Sequence, residues 1–140
     1  MTPRVKREPI HVSASRDGAS VRVVCSECAP SINQITSMVP MQRANEARRW
    51  RGAVADGVRG AGPVTTPVRI EAVYYWSTRR RRDLWNYAPK WAVDGLVDAG
   101  VIPDDDASAV SDCVVRFEFD RSRQRMELVV SSLAEPPDGA

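Results

Sequence analysis

The chain has 140 residues, which suits one domain, and 43% of them are apolar, which is enough to bury a core. Twenty basic and 18 acidic residues leave a formal net charge of +2, which excludes a histone-like polycation and an acidic disordered tail. No apolar run reaches the roughly 18 to 20 residues of a membrane span, and an odd number of cysteines argues against a disulfide scaffold. We therefore expect a cytoplasmic protein with no secretory signal and no membrane segment.

The first half of the chain contains one predicted strand and one predicted helix. Residues 1–19 are polar and are interpreted as a flexible N-terminal arm, with a short extended piece near its end. The Val-rich residues 20–25 favour a strand, and the turn-rich residues 29–33 favour a loop. Residues 42–58 carry apolar side chains at helical spacing, and the glycines that follow end this helix.

The second half contains a second strand, a second helix and two further strands. Residues 67–76 alternate apolar and polar side chains, which predicts a strand. A helix is expected over residues 86–100, with Asn86 as its N-cap. Two more alternating runs, 115–119 and 126–130, are joined by a short polar link and therefore predict an antiparallel hairpin.

These elements define the expected fold class. The order strand, helix, strand, helix, strand, strand predicts an α+β domain in which two helices pack on a single mixed sheet. The domain is expected over residues 20–132, between the arm of residues 1–19 and a disordered C-terminal tail of residues 133–140.

The segment that is most informative about function begins with four consecutive arginines, Arg79 to Arg82, followed by Asp83. Such a run requires a counter-charge or a polyanion. The acidic triplet 104–106 follows after one short helix and reaches Asp83 only if its loop folds back. Carboxylates near arginines favour phosphodiester chemistry with a divalent metal, since hard oxygen ligands hold Mg²⁺ and arginines bind phosphate. The same spacing also suits a solvated loop followed by an acidic turn, and both interpretations stay open on spacing alone.

Residues 79–105 combine several features in a fixed order: the arginine run, Asp83-Leu-Trp-Asn86, a lysine early in the helix, Asp94-Gly-Leu-Val-Asp-Ala-Gly100 and an Asp-Asp pair. In these features the segment resembles the RusA family of Holliday junction resolvases. Pro30-Ser-Ile-Asn33 matches a further family feature after the first strand. The resemblance extends over about residues 20–132, and its specific part is residues 79–105.

The resemblance implies a small homodimeric, Mg²⁺-dependent endodeoxyribonuclease that resolves four-way DNA junctions in recombination and repair, of the kind often carried by phages. It implies no small-molecule cofactor. The implied catalytic residues are Asp83, Asp105, Lys90 and Asn86; the implied metal ligands are Asp83, Asp105 and Asp104; the implied DNA-binding residues are Arg79, Arg80, Arg81 and Arg82. A protein whose arginines are merely solvated, with no nucleic-acid role, is a further hypothesis.

Trp85 is the main departure from the family pattern, because the family has an aspartate at this position. Tryptophan cannot ligate Mg²⁺. Either Asp106, Asn86 or water completes the metal shell, or the protein binds DNA junctions with weakened cleavage. The four tryptophans are mostly core or interface candidates, and Trp85 is alternatively placed to stack on an unpaired base.

Two other groups of residues are candidates for function. Cys25 and Cys28 form a Cys-x-x-Cys motif, but no second ligand pair is present, so partly buried thiols are favoured over a zinc site. His11 receives no catalytic role. The arginines of the first helix suit either a DNA-facing surface or a solvated one; they are Arg43, Arg48, Arg49 and Arg51.

Overall fold

The computed structural model describes residues 8–135, which form one mixed sheet, three α-helices and a 3₁₀ helix. The strands are β1 (Val12–Asp17), β2 (Ser20–Cys25), β3 (Val68–Trp76), β4 (Val110–Phe119) and β5 (Arg125–Ser132). The helices are α1 (Ile32–Ser37), α2 (Pro40–Gly57), the 3₁₀ helix (Leu84–Asn86) and α3 (Lys90–Asp98). The expected α+β class with a single mixed sheet is confirmed. None of the helices in these residues is long and apolar enough to cross a membrane.

The strand order is β1-β2-β5-β3-β4, and the predicted hairpin of the last two strands is wrong. β4 runs parallel to β3 at the sheet edge, whereas β5 lies between β2 and β3 and is antiparallel to both. The polar link after β4 crosses the end of β3, where the Asp120 N–H donates to the Trp76 carbonyl at 2.8 Å. Alternation in a sequence indicates which face of a strand is buried, but it does not indicate the neighbouring strand.

The expected N-terminal arm differs from the structure in residues 12–17, which form β1. This strand pairs with β2 through a tight turn in which Gly18 has a φ of 58°, a conformation that favours glycine. β1 lies at the sheet edge and is largely exposed, so its polar composition resembles that of a loop. Residues 1–7 of the expected arm and 136–140 of the expected tail lie outside the described residues.

The core lies between one face of the sheet and the helices. Alternate residues of β2, β3 and β5 are buried there together with residues of α2 and α3. The two helices meet at Gly95, where an added Cβ would lie 2.7 Å from the Val54 Cβ and 2.9 Å from the Arg51 carbonyl oxygen. This close approach fixes α3, and with it Lys90 at its first turn, against α2.

Two local expectations around the site are also corrected. The loop expected over residues 29–33 ends early, because Ser31 caps α1: its Oγ accepts from the Gln34 N–H at 3.1 Å. Gln34 completes the capping box through its Oε1, which accepts from the Ser31 N–H at 2.8 Å. Asn86 does not cap α3, which begins at Lys90. Pro89 disfavours helical backbone in the residue before it, so the helix starts only after the proline.

Candidate nucleic-acid interface

The arginine segment, Arg79 to Arg82, follows the end of β3, and its two outer members are held by aromatic rings. The Arg82 guanidinium lies 4.0 Å from the centre of the Trp76 ring and also donates to the Thr78 carbonyl at 3.0 Å. The Arg79 guanidinium lies 4.1 Å from the centre of the Phe119 ring. Cation–π contacts of this kind orient a guanidinium without neutralising its charge.

The two inner members, Arg80 and Arg81, are exposed and have no hydrogen bond or ion pair within residues 8–135. Several other surface arginines have carboxylate partners: Arg51 binds Asp98 at 2.9 Å, and Arg59 binds Asp56 at 2.7 Å. The arginine segment therefore presents positive charge that the described part of the protein does not neutralise.

A cluster of four aromatic rings supports this segment. Tyr74, Trp76, Tyr87 and Phe117 contact each other with all ring centres 5.2 to 5.8 Å apart, mostly edge to face. Trp76 lies three residues before Arg79 and Tyr87 directly follows the 3₁₀ helix, so the backbone between them is anchored at both ends.

The arginine segment lines two cavities. The first, of about 520 Å³, also includes Asp83, Asn86, Glu27 and Gln34. The second, of about 680 Å³, lies against the end of β4. Sequence reasoning did not identify Glu27 or Gln34 as lining residues. Ser31 and Gln34 have the spacing of a capping box, so the sequence contained a signal for a helix that begins near residue 31 with Gln34 in its first turn.

The 3₁₀ helix carries Asp83, Trp85 and Asn86 in different roles. Asp83 caps it, since its Oδ1 accepts from the Trp85 N–H at 3.2 Å. The Asn86 Oδ1 accepts from the Asn33 N–H at 3.0 Å, which ties this helix to α1. The Trp85 side chain is 90% exposed, so it does not lie in the core of the folded chain, whereas Trp50 and Trp76 are buried.

Lys90 and Asp105, two of the residues that the resemblance implies are catalytic, are in contact. The loop after α3 folds back along the helix, and Lys90 Nζ donates to Asp105 Oδ2 and, at 2.8 Å, to Asp94 Oδ1. These hydrogen bonds raise the pKa of Lys90, and the Lys90 ammonium lowers the pKa of Asp105. Both groups therefore stay charged near neutral pH.

The carboxylates expected to hold Mg²⁺ do not form one cluster. In residues 8–135 there is no group of three or more His, Cys, Asp or Glu side chains placed to hold a metal ion. Asp83 lines the first cavity, whereas Asp105 pairs with Lys90 and lines neither cavity. The Asp104 Oδ1 accepts from the Asp105 N–H at 2.7 Å, and Asp106 holds a turn by accepting from Ser108 at 2.6 Å. The oxygen donors suit Mg²⁺, but this arrangement of them does not fit it.

The remaining candidates have structural roles in the folded chain. Burial raises the pKa of the Cys25 and Cys28 thiols to about 12, and the Cys28 Sγ donates to the Arg125 carbonyl at 3.2 Å. In α2, Arg49 forms ion pairs with Glu27 and Glu46. Two further arginines of α2 also have partners. Arg43 donates to carbonyls at the end of α1, and Arg51 forms an ion pair with Asp98. These contacts favour a structural role over a DNA-facing one.

Comparison of this sequence with known families finds no family model that matches it, and no curated protein matches it either. The resemblance to the RusA family therefore remains an interpretation of the sequence, carried by residues 79–105.

Proposed function

We propose that this protein acts on branched DNA as a structure-selective endonuclease that cuts four-way junctions, similar to the RusA family. The observation that carries the proposal is the pair of exposed arginines, Arg80 and Arg81, which have no anionic partner in the described structure. They stand between two arginines whose guanidinium groups are oriented by aromatic rings.

A nucleic-acid backbone supplies the charge that this surface lacks. Phosphates at regular spacing match a run of adjacent guanidinium groups, each of which forms bidentate hydrogen bonds with phosphate oxygens. The rigid aromatic cluster beneath the segment lowers the entropy lost when these side chains bind. Contacts of this type give affinity for any DNA shape, and selectivity has to come from other residues.

Lys90 supports cleavage as the reaction that we propose. Because Asp94 and Asp105 keep it protonated, it supplies a fixed positive charge close to the carboxylates, suited to offsetting negative charge on a phosphate as its bond breaks. The resemblance implies Mg²⁺ as the cofactor, which would activate water. Since the carboxylates of this structure do not fit the ion, we derive no step through it.

A RusA-like protein that binds junctions but cuts them weakly is the second candidate. The observation that favours it is Trp85, which stands where the family has a metal-binding aspartate and points into solvent. Both candidates share the DNA-binding surface and differ only in turnover.

A homodimer belongs to the proposal for a mechanical reason. A four-way junction has approximate two-fold symmetry and needs two paired cuts, which two identical subunits related by a two-fold axis provide. Sedimentation of the purified protein alone and with one junction tests this: we expect two chains per junction, and one chain per junction would contradict the dimer.

The decisive experiment compares a labelled four-way junction with a linear duplex of the same sequence, in Mg²⁺ and in EDTA. Junction cleavage in Mg²⁺ supports the endonuclease. Junction-selective binding in EDTA without cleavage in Mg²⁺ supports the second candidate. No preference for the junction in either buffer would contradict both.

Two substitutions sharpen this experiment. Asp83→Asn and Asp105→Asn should each abolish cleavage while junction binding persists, and wild-type rates in either would refute their assignment.

A further inference from the structure

Trp85 is the most exposed large apolar side chain in residues 8–135, at 90%. An indole normally buries most of its area, and a folded chain gains free energy by doing so. Its exposed position leaves the ring free for a contact that the described chain alone does not supply.

The backbone that carries Trp85 is fixed. Its own N–H is bound by Asp83, and the next residue, Asn86, is hydrogen-bonded both to the Asp83 carbonyl at 3.0 Å and to α1. Tyr87 then enters the aromatic cluster. A side chain on a backbone held in this way is presented in a defined place, and it loses little freedom when it binds.

Two partners are possible for the exposed Trp85, a second copy of the chain and DNA, and the charge of the arginine segment favours DNA. A second copy of the chain, facing the first across a two-fold axis, would bring its own Arg80 and Arg81 towards the same unneutralised arginines. DNA supplies phosphates for these arginines and a flat aromatic ring for the indole at the same time. The exposed Leu84 beside Trp85 makes the second copy the competing occupant that an experiment has to exclude.

We infer that Trp85 stacks on an unpaired base of branched DNA and thereby selects branched or frayed DNA over intact duplex. The inference rests on the proposed function, because it takes the arginine segment to bind the phosphates of the same DNA. In a continuous duplex the bases are stacked on each other and leave no ring face open. At a branch point an unstacked base offers its face to the indole.

The test measures affinity and tryptophan fluorescence in EDTA, with a four-way junction, a single strand and a duplex of matched sequence. Trp85→Ala should weaken binding to the junction and the single strand by about 5- to 100-fold, and should leave duplex affinity and the salt slope unchanged. Trp85→Phe should retain most of the affinity. Binding of the junction should quench tryptophan fluorescence in the wild type, and this quenching should be absent in Trp85→Ala. Leu84→Ala, which removes the apolar neighbour but no ring, should bind all three DNAs like the wild type.

Three results would overturn the inference. An equal loss of affinity for junction and duplex would make Trp85 an unselective contact. Dissociation of a dimer by Trp85→Ala in the absence of DNA would assign the indole to a second copy of the chain. If the wild type binds junctions selectively and Trp85→Ala binds them equally well, only this inference fails; if the wild type binds no DNA, the proposed function fails.

Discussion

Removal of the two unpaired arginines should change how DNA binding depends on salt. The double variant Arg80→Ala/Arg81→Ala lacks two guanidinium groups. In the wild type each of them should contact a phosphate and release a counterion when DNA binds, and the variant loses this release. The slope of log affinity against log salt falls by about 0.9 for each such contact in duplex DNA, so the two together should reduce it by about 1.8. Between about 50 and 200 mM salt, the wild type should therefore lose about tenfold more affinity than the variant.

The expected effect is specific because these side chains do not stabilise the fold. Both are exposed and have no polar partner in the described chain, so the free energy of unfolding should change by less than about 0.5 kcal/mol. Arg59→Ala/Arg116→Ala is the matched control. It removes the same charge, but from arginines already paired with Asp56 and Glu71. Fluorescence anisotropy with a labelled duplex at five salt concentrations gives each slope.

An unchanged slope in the arginine-segment variant would show that this segment is only a solvated surface. An equal change in the control would show that total net charge, rather than this surface, sets the affinity. Either result would refute the reasoning, and neither depends on whether the protein cuts DNA.

Three further predictions concern the fold and the groups around the site. Gly95→Ala should lower the free energy of unfolding, measured in urea, by about 1 to 3 kcal/mol because the added Cβ meets the backbone of α2. Gly52→Ala has open space around it and should raise the free energy of unfolding by up to about 1 kcal/mol. At pH 8 a thiol reagent should modify the exposed Cys113 before the buried Cys25 and the partly buried Cys28, and this first phase should be absent in Cys113→Ser. Burial raises the pKa of all three thiols, and it raises those of Cys25 and Cys28 to about 12. Lys90→Met should raise the pKa of Asp105 towards its ordinary value in a carboxyl NMR titration, and an unchanged pKa would contradict the ion pair.

Elements with a strong hydrophobic period were predictable from the sequence. The strand expected over residues 20–25 matches β2, the one expected over 67–76 matches β3, and the helix expected over 42–58 matches α2 within two residues at each end. In each, one face packs on the core and the other is polar, so the sequence shows the period directly. The pairing of β4 and β5 was not predictable in this way, because the same period is compatible with several neighbours.

The candidate site was predictable in parts. The charge of the arginine segment is visible in the sequence, but its division into two stacked and two unpaired guanidinium groups depends on where Trp76 and Phe119 lie in the fold. The contact of Asp105 with Lys90 depends on the fold-back of a loop that buries Val101 and Ile102. For Trp85 the sequence left a core position, an interface position and stacking on an unpaired base open, and only the fold shows that the indole is exposed.

Because β5 lies in the middle of the sheet and comes last in the chain, the sheet cannot be completed until synthesis is almost finished. β1 and β2 form a local hairpin, and β3, α3 and β4 form a separate β-α-β unit. The two units share no strand pair, and only β5, which pairs with β2 and with β3, joins them. Residues 125–132 leave the ribosome after all the other strands. Until then the inner edges of β2 and β3 stay open, with their apolar residues unshielded, and the two units have no shared sheet. We therefore expect this domain to fold only once β5 has emerged, in a slow step governed by contacts between residues far apart in the chain.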